Sequence, residues 1–211
     1  MTADQLSIGV LASGAGTNLQ ALLDTVHGHE AEVVAVASDT PDAVALERAT
    51  ARGVPTGVFP VADYPDRAGR DEAIADWLVE RGARLVVLAG YMKLLSPGFL
   101  RRFPDAVINV HPALLPAFPG LRPIADAVDY GVKVFGVTVH YVDDGVDSGP
   151  VILQASIEIP DAADPDAVHA ALQPLEHRLL PEAVRLFAAG ALRRDPDNAR
   201  RVIVERRAAT S

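Results

Sequence analysis

An amide, an imidazole and a carboxylate stand in two short segments of the 211-residue sequence: Asn109-Val110-His111-Pro112 and, further along, Asp147-Ser148-Gly149-Pro150. Transfer of an acyl group to an amine calls for these groups. As the amine attacks, negative charge grows on the carbonyl oxygen, while the nitrogen turns cationic and must shed a proton. An Asn amide donates to the oxyanion without titrating. A His gives or takes a proton near neutral pH, and an Asp beside it favours the imidazolium and collects the amine's proton, directly or through water. The sequence has no Cys and no Gly-x-Ser-x-Gly, so direct transfer is indicated over a covalent intermediate. Taken singly, each residue also has an ordinary reading: Asn109 as a strand-end cap, His111 as a core histidine, the Asp147 segment as a turn.

The elements around them favour a joint reading. Residues 106–108 and 134–139 are apolar and β-branched, and strand ends are where α/β proteins build their sites. Upstream, strands are expected over 6–12, 32–37 and 85–89, with a weak one over 54–59 broken by Pro55 and Gly57. Helices are expected over 18–27, 42–52 and 70–81. This alternation predicts an α/β fold with a mostly parallel, twisted sheet and helices on both faces. After a loop and short helix over 90–102 the alternation gives way to strands from Val134 and Val151, so antiparallel pairing is expected in the C-terminal half. A closing helix over 167–187 contains Pro174 and Pro181, which should bend or divide it.

The first strand runs into Ser13-Gly14-Ala15-Gly16-Thr17-Asn18. Glycines let backbone approach a ligand, and the N–H groups of a helix start attract an anion. Leu19 stands where a dinucleotide fingerprint needs a third Gly, and no Gly-Lys-Ser/Thr follows. A monophosphate fits better than either, and a tight turn without a ligand is the plain alternative.

A net charge of −9 argues against a broad nucleic-acid surface. No apolar run reaches membrane-spanning length, and the amino terminus has no basic, signal-like segment, so a cytoplasmic protein is the default. A hydrophobic content of 49% suits one globular domain. His27-Gly28-His29 reads as a helix-ending turn, and no metal site is expected. His140 faces either the core or a substrate. Arg193, Arg194, Arg200, Arg201, Arg206 and Arg207 alternate with acids, which reads as a solvated or edge-strand tail.

The run Asn109-Val110-His111-Pro112-Ala113-Leu114-Leu115-Pro116-Ala117-Phe118-Pro119-Gly120, with Asp147-Ser148-Gly149-Pro150 after it, resembles the folate-dependent formyltransferases. Within them it is most similar to those that formylate phosphoribosylglycinamide in purine biosynthesis. Ser13 to Asn18, Leu88-Ala89-Gly90-Tyr91-Met92-Lys93-Leu94-Leu95-Ser96-Pro97, Gln173 and Glu176-His177 occur in matching order, over roughly residues 6–192. The resemblance implies a Rossmann-like fold in one formyltransferase domain spanning 1–211. Its phosphate-binding half would be about 6–100, its catalytic and folate-binding half 101–192, and its tail 193–211. It implies 10-formyltetrahydrofolate as formyl donor, phosphoribosylglycinamide as acceptor, and no metal. Asn109, His111 and Asp147 would form the catalytic trio, His111 donating a proton and Asp147 raising its pKa. Gly16, Thr17 and Asn18 would hold the ribonucleotide phosphate, with Glu176 and Gln173 near its ribose or glycinamide. Met92, Lys93, Leu94 and Leu95, with Asn109, would hold the folate through backbone groups and apolar packing, and Arg67 its acidic tail.

Two departures stand out: Leu121-Arg122-Pro123-Ile124 replaces a stretch in which the family commonly has a His, and Ala15 replaces a frequent polar residue. The related formyltetrahydrofolate hydrolases usually carry a second His where Pro112 stands and an added regulatory domain. The methionyl-tRNA formyltransferases usually carry a basic carboxy-terminal domain. Chain length argues against both, and a non-catalytic folate or nucleotide sensor is the alternative from another class. The sequence leaves the oligomeric state open.

Overall fold

The computed structural model describes residues 5–205; the amino-terminal residues 1–4 and the tail arginines Arg206 and Arg207 lie outside that range. In chain order the elements are β1 (Leu6–Leu11), α1 (Thr17–Thr25), β2 (Ala31–Ser38), α2 (Val44–Ala51), β3 (Thr56–Val58), α3 (Arg67–Glu80), β4 (Leu85–Leu88), α4 (Pro97–Arg102), β5 (Val107–His111), α5 (Pro123–Tyr130), β6 (Val134–Tyr141), β7 (Val151–Glu158), α6 (Pro165–Ala188), β8 (Leu192–Asp195) and β9 (Asn198–Val204). One sheet runs in the order β3-β2-β1-β4-β5-β6-β7-β9-β8. Strands β1 to β5 pair parallel, as their two-sided apolar sequences require. β6 then joins β5 antiparallel, and β7 joins β6 antiparallel.

Each sheet face has its own apolar cluster. One packs β1, β2, β6, α1, α2 and α6 around Ile8, Leu22, Val137 and Leu180. The other packs α3 and α4 around Leu11, Ile74, Leu78 and Phe99. Strand order reverses between β1 and β4, so the turns following those strands open side by side at their carboxyl ends, where α/β sheets bind ligands.

Three expectations needed revision. α5 lies in what sequence reading left as a bare connection; its Pro at the first turn and Gly131 at its left-handed C-cap were available signals. α3 begins at Arg67, where Asp66 caps the N–H of Gly69 at 2.8 Å. α6 is undivided across Pro174 and Pro181, because the buried Leu172, Leu179, Leu180 and Val184 hold it on the core and offset the lost backbone bonds. The arginine-rich tail forms the β8–β9 hairpin at the sheet edge, with acids as partners: Arg194 with Asp105 at 2.7 Å and Arg193 with Glu205 at 3.1 Å. His27-Gly28-His29 closes the turn after α1 with Gly28 at positive φ. No helix among the described residues is long and apolar enough to cross a membrane.

Candidate active site

β5 alternates, burying Ile108 and Val110 in the core and turning Asn109 and His111 to the same side. The antiparallel register sets Asn109 opposite His140 of β6. Beyond β6 the chain loops out and returns at Gly149, where a Cβ would meet the Tyr141 carbonyl oxygen at 1.7 Å. Only glycine lets the loop close that tightly on β6. Two residues earlier Asp147 adopts φ +49, a left-handed conformation that Asp tolerates better than most residues. Its carboxylate thereby reaches back to β5 and β6.

One carboxylate oxygen of Asp147 accepts the Gly120 N–H at 2.8 Å and lies 3.4 Å from His111 Nδ1. The other lies 3.6 Å from His140 Nε2 and 3.4 Å from the Asn109 amide nitrogen. Proton positions follow from what the partners accept. The Phe118 carbonyl, 2.9 Å from His111 Nε2, only accepts, so Nε2 carries a proton. The Tyr141 carbonyl, 2.8 Å from His140 Nδ1, likewise places that ring's proton on Nδ1. His140 Nε2 faces both the Asn109 amide nitrogen at 3.2 Å and the Asp147 carboxylate at 3.6 Å. The edge of His111 that faces Asp147 is therefore the one that exchanges a proton.

Burial is the largest influence on His111 and lowers its pKa below the ordinary histidine value; the Phe118 carbonyl and the Asp147 charge raise it without overcoming burial. The expectation that Asp147 raises this pKa holds for that one influence and not for the net direction. For Asp147, burial pushes upward, but His140, the Gly120 N–H and the His111 charge outweigh it and hold the carboxyl below its ordinary value. At neutral pH the pair is an uncharged imidazole facing an ionised carboxylate.

Asn109, His111 and Asp147 line a cleft of about 740 Å³, a size suited to a large small-molecule ligand. Arg67, Met92, Lys93, Leu94 and Leu95 line the same cleft. Met92 and Leu94 are more than half exposed, which leaves an apolar wall open to a ligand. The Met92 N–H is already taken, donating to Ser13 Oγ at 3.0 Å. The departing stretch Leu121 to Ile124 forms the opposite lip, with His169 of α6 nearby.

The other candidate residues form a second cluster, outside this cleft's wall. Gly16 caps α1 at φ +69, and a Cβ there would meet Ala45 Cα at 2.7 Å, so close packing and backbone conformation both demand glycine. Thr17 opens the helix. The buried Asn18 donates to Glu176 at 2.9 Å, while its side-chain amide oxygen has no hydrogen-bond partner among the described residues. The Glu176 charge also pushes the His111 pKa upward, as the smallest of the influences on it. Gln173, in α6, is half-buried, and its side chain makes no hydrogen bond among the described residues.

Sequence reading left His140 open and missed the Phe118 carbonyl and the Gly120 N–H. The signal for His140 was its place in an alternating strand; the two backbone groups had none, since they depend on the path of the loop after β5. Thr138 holds that path, accepting from Leu115 N at 3.1 Å and donating to the Ala113 carbonyl at 2.7 Å. Among the described residues no cluster of His, Cys, Asp and Glu is placed to hold a metal.

The formyl transferase family model matches residues 6–184. A phosphoribosylglycinamide formyltransferase of Mycobacterium tuberculosis is 45% identical over 180 residues, covering 85% of this chain and 83% of that protein. One from Haemophilus influenzae is 38% identical over 88% of this chain and 89% of its own length. The chain also matches a trifunctional purine biosynthetic protein of Drosophila pseudoobscura pseudoobscura at 40% identity, spanning 14% of that protein's length. Among solved structures, glycinamide ribonucleotide transformylase 1 from Symbiobacterium toebii superposes with a TM-score of 0.91 at 43% identity, covering 97% of this chain and 99% of that one. The Coxiella burnetii phosphoribosylglycinamide formyltransferase, solved with CHES, gives 0.88 at 35% identity, covering 96% and 94%. Sequence and fold agree over nearly the whole length: the chain belongs to the formyl transferase family.

Proposed function

We propose that the chain transfers the formyl group of 10-formyltetrahydrofolate to the amine of phosphoribosylglycinamide, a step of purine biosynthesis, in the cytoplasm and without nucleic acid as a partner. The convergence of Asn109, His111 and Asp147 on one cleft carries the reading, in a chain 45% identical to a relative named for this activity. Gly16, Thr17 and Asn18 hold the phosphate, and Glu176, with Gln173 beside it, positions the sugar and glycinamide. Met92, Lys93, Leu94 and Leu95 hold the folate, and Arg67 its carboxylate tail.

The amine attacks the formyl carbon. The Asn109 amide stabilises the oxyanion, exchanging its long 3.4 Å contact with Asp147 for the developing charge. Asp147, ionised at the start, draws off the amine proton. His111 starts neutral, so the proton it delivers to the departing folate nitrogen comes from that amine across the Nδ1–carboxylate contact.

The test is release of deformylated folate from 10-formyl-5,8-dideazafolate, followed by absorbance with and without the ribonucleotide. Release that needs the ribonucleotide supports the transferase. Equal release in its absence makes the chain a hydrolase, and binding of both ligands without release makes it a sensor.

A further inference from the structure

The sequence placed a phosphate loop at residues 13–18 and a folate strip at 92–95 as separate features; the structure joins them through one hydroxyl. Ser13 sits at the end of β1, where strand order reverses, and its N–H donates to the Gly90 carbonyl at 3.0 Å. Its Oγ donates to Asp39 at 2.5 Å. A carboxylate only accepts, so the single hydroxyl proton is committed there and the oxygen is left to accept the Met92 N–H at 3.0 Å. Asp39 is almost fully buried, and its second oxygen lies 3.7 Å from Lys93 Nζ. Gly90, Met92 and Lys93 are thus all held by Ser13 and its partner Asp39. The far end of the strip is fixed separately, by the Ser96 N–H on buried Asp71 at 2.6 Å.

We infer that Ser13 is a positioning residue that couples the two substrate sites: when phosphate fixes the loop beginning at Ser13, the strip 90–93 is held in its folate-binding position, and the reverse. The inference rests on the placement of phosphate and folate proposed above. Tyr91 is anchored in the core, but Met92 and Leu94 are more than half exposed, so the backbone at Met92 is held on the loop side by its bond to Ser13. Binding of either ligand should therefore lower the ordering cost of the other.

The experiment is calorimetric titration of 5,8-dideazafolate into the full chain with and without phosphoribosylglycinamide, for the wild type, Ser13→Ala and Ser13→Thr. Ser13 is half-buried, and Thr keeps the hydroxyl that Ala removes. In the wild type the ribonucleotide should tighten folate-analogue binding. Ser13→Ala loses two hydrogen bonds, one to the Asp39 carboxylate and one from the Met92 N–H; loss of the neutral one, which reaches the strip, should remove about three- to tenfold of that enhancement, and Ser13→Thr should restore it. Circular dichroism and thermal melts establish that both variants fold. Equal enhancement in Ser13→Ala and the wild type overturns the inference, as does independent binding of the two ligands in the wild type. Failure of the wild type to bind either ligand overturns the proposed function instead.

Discussion

Replacing Asp147 by Asn removes one unit of charge while keeping an acceptor of the same shape for the Gly120 N–H, held at 2.8 Å. The carboxylate lies 3.4 Å from His111 Nδ1 and is mostly buried. At an effective dielectric constant of about 20, a unit charge pair at that separation is worth about 5 kcal/mol. That figure bounds the stabilisation Asp147 lends to an imidazolium formed during turnover, and 1.4 kcal/mol corresponds to a factor of ten in rate, so the bound is three to four decades. General acid–base catalysis contributes two to four decades in typical enzymes. The expected outcome for Asp147→Asn is a fall in kcat of about a thousandfold, with KM for either substrate changed by less than about threefold, because the lost charge acts on the transition state. The assay is initial-rate release of deformylated folate at saturating ribonucleotide. A variant within tenfold of wild-type kcat, or one whose deficit lies in KM, would refute the reasoning.

Activity should decline on the acid side only at a pH below the ordinary histidine range, because His111, its pKa lowered by burial, must be neutral to receive a proton. In the residual activity of Asp147→Asn that limb should move to still lower pH, since the lost charge was raising the His111 pKa; a pH–rate profile reads the shift. The same depressed pKa makes His111 a source of stability present above the unfolded histidine value and lost as pH falls, so urea midpoints should drop from pH 7 to 5 and drop less in His111→Gln. Gly16→Ala should cost about 1 to 3 kcal/mol in urea unfolding, from its positive φ and the approach of Ala45, and should raise KM for the ribonucleotide. Asp71→Ala strands the guanidinium of Arg70, which is 3% exposed; a loss of about 3 to 5 kcal/mol is expected by the same measurement.

Much of this architecture was legible because its physics is local. The two-sided apolar runs at β1, β2 and β4 require burial on both faces, which points to a parallel sheet, and the glycines and helix start at Gly16 mark a place where backbone meets a ligand. Asn109 and His111 were legible as polar residues at the end of the apolar run 106–108, although the sequence did not extend the strand through them as β5 does. Less was legible where the chain doubles back. The acceptor on His111 Nε2 is a main-chain carbonyl, Phe118, that no residue type encodes. The net direction of the His111 pKa depends on how much core surrounds it, and one neighbouring Asp in the sequence said nothing of that. The continuity of α6 through two prolines is likewise a tertiary outcome, decided by its buried side chains, Pro181 among them.

Between Gly120 and β6 the chain makes an excursion through α5, although the strands on either side of it, β5 and β6, are themselves directly paired. Gly120 is pinned to the reacting carboxylate just before that excursion begins, and Leu121 and Arg122 stand largely exposed along its lip. Natural variation can therefore lengthen, shorten or recharge this lip while the strand register that sets the proton-transfer distances stays unchanged. Substrate preference and chemical competence are separable traits in such a scaffold, and a lineage can drift in the first at little risk to the second.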